Sequence, residues 1–264
     1  MANTVYPNFV LESRLTDLLN TKLNTRSLMT IDNSLTESAG MIKKINTYTY
    51  TGKVEKVTKG NKNTTRGAVS YTSKQYEVEV SQQVFDYFDE EFMQDPKVVE
   101  MGMNGAATLM VNDMNDKYFA ELKKATLTHQ ITAGGAFNYD AVVDAIQLMN
   151  LEDESGLFLI IGNDLKAEIR KDPDFKAARQ GEILFNGQIG NISGVPVLVS
   201  KLVPEDTAYL ATKEAVTLFT KKDSEVEQER DGEIRQNTVI MRKVNLVALT
   251  DATKVVKITK SPGK

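Results

Sequence analysis

The 264-residue chain is 41% hydrophobic, which is enough to bury a substantial core in one large domain or two modest ones. With 32 Lys and Arg against 36 Asp and Glu, its formal net charge of -4 argues against a protein whose main task is to grip nucleic acid or an anionic membrane. The sequence has no cysteine, which excludes disulfides, thiolate catalysis and cysteine-ligated metal sites. It also has no run of about 18 apolar residues and no signal-peptide pattern, so we expect a soluble protein made in the cytosol.

Residues 1–45 predict an extended N-terminal arm that carries one weak helix. Leucines recur at helical spacing in LESRLTDLLNTKL, at Leu11, Leu15, Leu18, Leu19 and Leu23. Polar residues follow them, and the arm has too few apolar side chains to fold as a domain.

Residues 46–80 predict an extended loop made of two strands. Strict alternation in TYTYT, from Thr47, resumes in YEVEV, from Tyr76 to Val80, and a turn around Gly60 lies between them. Arms of about 15 residues would form a ribbon of roughly 50 Å. An isolated two-stranded ribbon is only marginally stable in water. The segment is therefore either a disordered surface loop or an arm that becomes ordered on another subunit.

Charge is unevenly distributed around this ribbon. Its loop is basic, with only Glu55 as a counter-charge, and contains Lys53, Lys56, Lys59, Lys62 and Arg66. The next segment, SQQVFDYFDEEFMQ, predicts a short helix or turn that holds four acids close together, namely Asp86, Asp89, Glu90 and Glu91. Opposite charges of this kind predict contacts between subunits, although each cluster could also be an ordinary solvated surface.

A long amphipathic helix follows. Asp95 and Pro96 form an N-cap and first-turn pair, and apolar residues then recur every three or four positions to about Lys124. The predicted buried stripe consists of Val99, Met103, Ala106, Met110, Met114, Tyr118 and Leu122. Such a helix would be roughly 45 Å long.

Residues 129–221 predict a compact α/β region. Gly134 and Gly135 interrupt the helical pattern and are a candidate hinge. Behind them, FNYDAVVDAIQLMN predicts a helix, and NDLKAEIRK predicts a second one capped by Asn163 or Asp164. Strands are predicted at GLFLIIG, VPVLVS, TAYLAT and AVTLFT. The tail, residues 222–264, adds strands that are expected to form a sheet beside the long helix.

The sequence offers little catalytic chemistry. His129 is the only histidine, and no Gly-x-Ser-x-Gly motif is present, so a catalytic triad is not predicted. Glu168, Asp172 and Asp174 are too few ligands for a confident divalent-metal site. We therefore predict a protein that is not an enzyme and has no cofactor. The glycines of GQIGNISG, at Gly187, Gly190 and Gly194, are expected to make turns.

The order of these parts resembles the major capsid protein of tailed bacteriophages, the Hong Kong 97-like fold. The run from LFLIIGNDLKAEIRK to GNISGVPVLVS is similar to the strand, small helix and glycine-rich approach of that family's axial domain, and DGEIRQNTVIMRKVNLVALTDATKVVKI is similar to its last peripheral strands. The resemblance implies an α+β fold with an N-terminal arm at 1–45, an extended loop at 46–80, a peripheral domain with a long spine helix and sheet at 81–128 and 222–264, and an inserted axial domain at 129–221.

The same resemblance implies a function. The chain would self-assemble into hexamers and pentamers of an icosahedral phage head in the host cytoplasm and would enclose double-stranded DNA by non-specific contact in the virion. The arm begins just after Met1, so a separately encoded scaffolding protein is expected, together with a portal. No membrane partner is expected. Two alternatives remain at this point: an encapsulin-like compartment with the same fold, and a cytosolic α/β hydrolase or metal-dependent enzyme in residues 129–221.

Overall fold

Twelve strands, four α-helices and two short 3-10 helices (Thr25–Leu28 and Ala252–Lys254) make up the computed structural model, which describes residues 25–132, 135–172 and 190–261. The strands are β1 (Thr30–Asp32), β2 (Ile42–Thr51), β3 (Ala68–Glu77), β4 (Glu79–Phe88), β5 (Leu127–Ile131), β6 (Leu157–Ile161), β7 (Asn191–Ile192), β8 (Val195–Val199), β9 (Thr207–Thr212), β10 (Val216–Asp231), β11 (Gln236–Leu249) and β12 (Val255–Lys260). The helices are α1 (Asp89–Gln94), α2 (Lys97–Leu122), α3 (Tyr139–Met149) and α4 (Asn163–Lys171). Within these described residues, none of the helices is both long and apolar enough to cross a lipid bilayer.

The long helix α2 forms where the sequence predicts it. The carboxylate of Asp95 accepts a hydrogen bond from the Lys97 backbone N–H at 3.0 Å, which satisfies one of the free donors of the first turn. Every residue of the predicted apolar stripe is buried: Val99, Met103, Ala106, Met110, Met114, Tyr118 and Leu122. The helical period therefore identified the main core of the protein.

A four-stranded sheet, the long sheet, packs against α2 in the order β1-β10-β11-β4. Because side chains alternate across a strand, β11 turns Val239, Met241 and Val247 toward α2, and this side is called the inner face. The opposite side, the outer face, carries Leu246 and Ala248, which pack in a small separate cluster with Leu35 and Phe219.

A six-stranded sheet, the mixed sheet, has the order β5-β12-β9-β6-β8-β7. Its strand β6 is buried along its whole length because it is covered on both faces. Phe158 and Ile160 join the core under α2, whereas Leu159 and Ile161 pack in a second core with α3 and α4.

Two strands pair across the predicted boundary at residues 221 and 222. β10 begins at Val216, inside the predicted axial region, yet it pairs with β11 in the long sheet. β12 belongs to the predicted peripheral tail, yet it pairs with β5 and β9 in the mixed sheet. The physical reason is that strand pairing is decided by contacts far apart in sequence, which local pattern does not contain.

Two local predictions also need correction. Residues 79–88 form strand β4 and not a helix or turn, and only α1 is helical there. Helix α4 has Gly162 at its N-cap, and Asp164 instead accepts a hydrogen bond from the Asp206 backbone N–H at 2.6 Å. His129, the only histidine, lies within strand β5, opposite Ile258.

Some predictions fall partly or wholly outside the described residues. These are the weak helix at residues 11–23, Gly134 of the candidate hinge, Asp174 and Gly187. Gly135 is described, and its N–H donates to the Thr132 carbonyl at 2.9 Å in a turn after β5. Gly190 and Gly194 have positive φ values of 68° and 78°, as expected for turn glycines.

Candidate inter-subunit surfaces

The extended loop forms an antiparallel ribbon. β2 and β3 pair continuously from Ile42 opposite Glu77 to Thr51 opposite Ala68. Each arm has 10 residues, so the paired part is about 33 Å long instead of the predicted 50 Å. The ribbon is shorter because residues 52–67 connect the arms without forming strands.

The base of the ribbon is attached to the outer face of the long sheet. Ile45 and Tyr76 pack against the cluster around Phe219, and the Lys43 ammonium lies 4.9 Å from the centroid of the Phe219 ring. The Tyr76 hydroxyl donates a hydrogen bond to the Leu249 carbonyl at 3.4 Å. These contacts fix the direction in which the rest of the ribbon projects.

The far half of the ribbon exposes aromatic side chains on one side. Strand alternation and the register place Tyr48, Tyr50, Val69 and Tyr71 together, and we call this set the tyrosine face. Its four side chains are between 65% and 70% exposed. The rings of Tyr48 and Tyr71 lie 6.0 Å apart between centroids. The opposite side of the same segment consists of small hydroxyl-bearing residues, namely Thr47, Thr49, Thr51, Ser70 and Thr72.

Two glycines allow the Tyr50 ring to lie over the ribbon. A β-carbon on Gly52 would be 2.7 Å from the Tyr50 hydroxyl oxygen, and one on Gly67 would be 2.2 Å from it. Both distances are shorter than real contacts of this kind, so any larger residue would displace the ring. The two glycines therefore leave room for this position of the Tyr50 ring.

The tip of the ribbon is basic and has hydrogen bonds of its own. Lys53, Lys56, Lys59, Lys62 and Arg66 are all exposed, as predicted. The Glu55 carboxylate accepts hydrogen bonds from the backbone N–H groups of Thr64 at 2.8 Å and Thr65 at 3.0 Å. These hydrogen bonds, first that of Thr65 and then that of Thr64, lower the pKa of Glu55. The sole acid of the tip therefore organises the loop.

The four predicted acids do not form one free cluster. Asp89 is buried and pairs with Arg230 at 2.9 Å, and it also accepts a hydrogen bond from Asn237 at 2.7 Å. The other three lie nearer the surface with partners in the same chain: Asp86 accepts from Thr238, Glu90 pairs with Arg235, and Glu91 accepts from the Phe88 N–H. Of the four, Asp89 is the one that the subunit itself encloses.

A row of acids that the sequence analysis missed lies on the outer face of the long sheet. Glu225, Glu227, Glu229 and Asp231 alternate along β10, and we call them the acidic row. Their register partners on β11 are Arg242, Ile240, Thr238 and Gln236. The signal is present in SEVEQERD as acids at every second position, but it identifies a single face only once this segment is known to be a strand.

An apolar stripe runs beside the acidic row. Val80, Val84 and Phe88 alternate along β4 on the outer face, where they are between 40% and 51% exposed. Their register partners on β11 are Val244, Ile240 and Gln236, so the stripe and the acidic row flank the same central strand.

Of the residues weighed for catalysis, His129, Glu168 and Asp172 are described, whereas Asp174 lies outside the described residues. In the described ranges no group of three His, Asp or Glu side chains is arranged to hold a metal ion. Glu168 instead forms an ion pair with Lys260 and accepts a hydrogen bond from the Phe137 N–H at 3.1 Å. This carboxylate joins α4 to β12, which is a structural role.

Solved structures with the same fold are viral and virus-like shells. The capsid of a native GTA particle matches with a TM-score of 0.74 at 12% identity, over 91% of this chain and 90% of that chain. The mature capsid of bacteriophage PhiM1 matches with a TM-score of 0.72 at 11% identity, over 89% of this chain and 86% of that chain. The fold, with its mixed helix and sheet content, is therefore that of a phage capsid protein.

Sequence comparison identifies the family. The sequence model of the phage capsid protein family matches residues 71–258, and the chain belongs to this family. The major capsid protein of Staphylococcus phage phiMR11 is 24% identical over 269 residues, covering 99% of this chain and 96% of the relative. The function predicted from the sequence, a major capsid protein of a tailed phage, is confirmed, and the encapsulin-like and hydrolase alternatives are not favoured.

Proposed function

We propose that this chain assembles into hexamers and pentamers that close into the icosahedral head of the phage. The ribbon carries the proposal: its base is fixed on its own subunit, whereas the far half presents tyrosines to solvent. Large amphipathic rings held at low entropic cost are typical of interface residues. Contacts that are weak singly become strong when they recur around a closed ring.

The proposal extends to the parts of the subunit. The long sheet with α2 corresponds to the peripheral domain, and the mixed sheet with α3 and α4 corresponds to the axial domain, with β10 and β12 reassigned as described. Gly134 and Gly135, predicted as a hinge, would mark the point where the chain crosses between two parts that share one core. The basic tip, with Lys53, Lys56, Lys59, Lys62 and Arg66, would contact acids of a neighbouring subunit.

Further components complete the proposed assembly. The head would form in the host cytoplasm with a separately encoded scaffolding protein and a portal, and it would hold double-stranded DNA by non-specific contact. The chain would have neither a catalytic site nor a cofactor. The family membership supports this part of the proposal.

Electron microscopy of the purified protein tests the proposal. A matched variant replaces residues 46–73 by Asn-Gly, which joins the paired residues Ile45 and Lys74 through a two-residue hairpin turn. The wild type should form rings or closed shells, whereas this variant should keep the wild-type circular dichroism spectrum and remain unassembled. His129→Ala is the assembly-competent control. Wild-type protein that stays monomeric at high concentration, or normal shells from the shortened variant, would contradict the proposal.

A further inference from the structure

The long sheet ends on one side in a long strand whose far edge is open. The strand order is β1-β10-β11-β4, and among the described residues β4 pairs only with β11. Strand β1, at the other edge, has 3 residues, whereas β4 has 10 and pairs with β11 without a bulge. Its sequence, EVSQQVFDYF, also lacks the lysine and proline that commonly protect an edge strand. β4 is therefore a template on which a further strand can pair.

Contacts along β4 show which of its backbone groups point to the open edge. The Val84 carbonyl accepts a hydrogen bond from the Gln83 side chain at 3.2 Å, and the Phe88 N–H donates to the Glu91 carboxylate at 3.0 Å. The Asp89 N–H points the other way, to a carbonyl of the turn before β11 at 3.0 Å. This direction alternates along an antiparallel strand. The residues that offer N–H and C=O groups to the edge are therefore Val80, Gln82, Val84, Asp86 and Phe88.

The same five residues carry a self-complementary row of side chains on the outer face. Val80, Val84 and Phe88, the apolar stripe, follow one another at every fourth position, with Gln82 and Asp86 between them. A two-fold axis at Val84 would pair two β4 strands antiparallel, with Val80 opposite Phe88 and Val84 opposite Val84 of the second copy. Gln82 would then lie opposite Asp86, whose carboxylate can accept a hydrogen bond from the amide.

Other registers of the two strands are less favourable. An axis at Gln83 or Phe85 would oppose a valine to Asp86. An axis at Asp86 would oppose two carboxylates, and one at Gln82 would leave Phe88 outside the paired strands. Because like charges directly opposite each other are destabilising and apolar pairs are stabilising, the axis at Val84 is the favoured one.

The helix behind β4 leaves room for a second copy. On the inner face, α2 runs along β4, with Gly102 next to the Phe85 ring and Asp113 accepting a hydrogen bond from Ser81 at 2.6 Å. Gly105 lies about one turn after Gly102, and a β-carbon built on it would have no neighbour within 4 Å. Packed helices approach to about 8–10 Å between their axes, depending on the side chains at the contact. The small residues therefore allow the α2 helices of two copies to lie side by side.

We infer that the open edge of β4 pairs with the β4 edge of a second copy across a two-fold axis at Val84. This inference rests on the proposed assembly and adds the contact that joins one ring to the next. Contacts within a ring are head-to-tail, whereas a two-fold contact pairs one surface with itself. Opposite residues with edge-facing groups exchange two hydrogen bonds each, so the two long sheets become one continuous sheet.

Single cysteines test the position of the axis, because the sequence contains no cysteine. In Val84→Cys, the two substituted residues lie opposite each other with Cα atoms about 5.5 Å apart, which oxidation or a short bifunctional thiol reagent can bridge. Gln82→Cys is the matched control on the same face, because its two copies lie about 14 Å apart along the strands.

The expected pattern of crosslinks is specific to this register. Assembled Val84→Cys should give at least about ten times more covalent dimer than Gln82→Cys alone. A mixture of Gln82→Cys with Asp86→Cys should restore the dimer, because these two positions lie opposite each other. No dimer from Val84→Cys, or equal yields from Val84→Cys and Gln82→Cys, would overturn the inference.

Gln82→Pro tests what the contact does. Proline removes an N–H that points to the open edge and leaves the ladder with β11 intact, so the subunit should keep the wild-type circular dichroism spectrum. Electron microscopy should show rings that do not join into shells. Val84→Lys, which opposes two ammonium groups across the axis, should also stop at rings, whereas Val84→Thr should form shells. Normal shells from Gln82→Pro and Val84→Lys would overturn the inference.

Rings and shells are observed separately, so this inference and the proposed function fail in different ways. Wild-type protein that forms no rings rejects the proposed function itself. Wild-type shells combined with the absence of a Val84→Cys crosslink leave self-assembly standing and assign the open edge of β4 to a different occupant, which rejects the two-fold contact.

Discussion

Asp89→Ala removes a carboxylate that holds the end of β4 to the inner face of the long sheet. The Asp89 side chain is 8% exposed and its partner Arg230 is 41% exposed. Breaking a fully buried ion pair from one side costs about 3–5 kcal/mol. The Arg230 side chain can be hydrated once the carboxylate is gone, so its contribution to the loss of stability is only about 1 kcal/mol. Asn237 is buried and loses a hydrogen bond to a charged acceptor, a loss of about 1.5–3 kcal/mol. We therefore expect the free energy of unfolding to fall by about 2.5–4 kcal/mol.

Urea unfolding of the unassembled subunit measures this loss, with Asp86→Ala as the control. Asp86 is exposed and accepts one hydrogen bond from Thr238, so its replacement should cost about 1 kcal/mol or less. A wild-type unfolding midpoint for Asp89→Ala, combined with failure to form shells, would refute the reasoning. That result would place Asp89 in a contact between subunits, as the sequence analysis predicted.

Three further predictions concern the buried and charged groups. Burial lowers the pKa of Lys243, although Asp223 opposes the shift, so the unfolded chain binds more protons than the folded one below the usual value of 10.5. The wild type should therefore gain stability as pH rises toward 10.5. Lys243→Met should abolish this gain in thermal unfolding, and a pH profile unchanged from the wild type would contradict the prediction. Burial alone would raise the pKa of Glu168, but hydrogen bonds from Lys260 and the Phe137 N–H lower it overall. The wild type should therefore lose stability as pH falls below 4.5 through the lowered pKa. In acid unfolding, Glu168→Gln should lose less stability than the wild type over the same pH range. Met114→Ala should lower the free energy of unfolding in urea by about 2–5 kcal/mol, whereas replacing the exposed Met101 by Ala should lower it by about 0.5 kcal/mol or less. Equal effects would show that the buried side of α2 does not form the core.

Sequence periodicity predicted the long helix because its signal is local and one-sided. Apolar residues recur at helical spacing from Val99 to Leu122, and one face alone is buried. Strand β4 was missed because both of its faces carry apolar residues. Phe85 and Tyr87 lie on the inner face, while Val84 and Phe88 lie on the outer one, so the alternation of period two is hidden.

Local pattern could not assign the strands to their sheets. TAYLAT and AVTLFT look alike as short apolar runs, but β9 lies in the mixed sheet and β10 begins the long one. Only the partners of each strand distinguish them, and those partners are distant in sequence. The main acidic surface was predicted at residues 86–91 and not on β10 for a related reason. The alternating acids of β10 indicate one charged face only when that segment is known to be a strand.

The core under α2 draws on both sheets. Phe158 and Tyr209 come from the mixed sheet, Val226 and Met241 come from the long sheet, and all four join one continuous cluster. The two sheets are therefore not independent folding units, and the body of the subunit should unfold in a single transition. A close-packed body of this kind resists bending. In the proposed shell, differences in curvature would then be accommodated at the contacts between rigid subunits and in the projecting ribbon. The angle at which one subunit meets the next would set the radius of the shell.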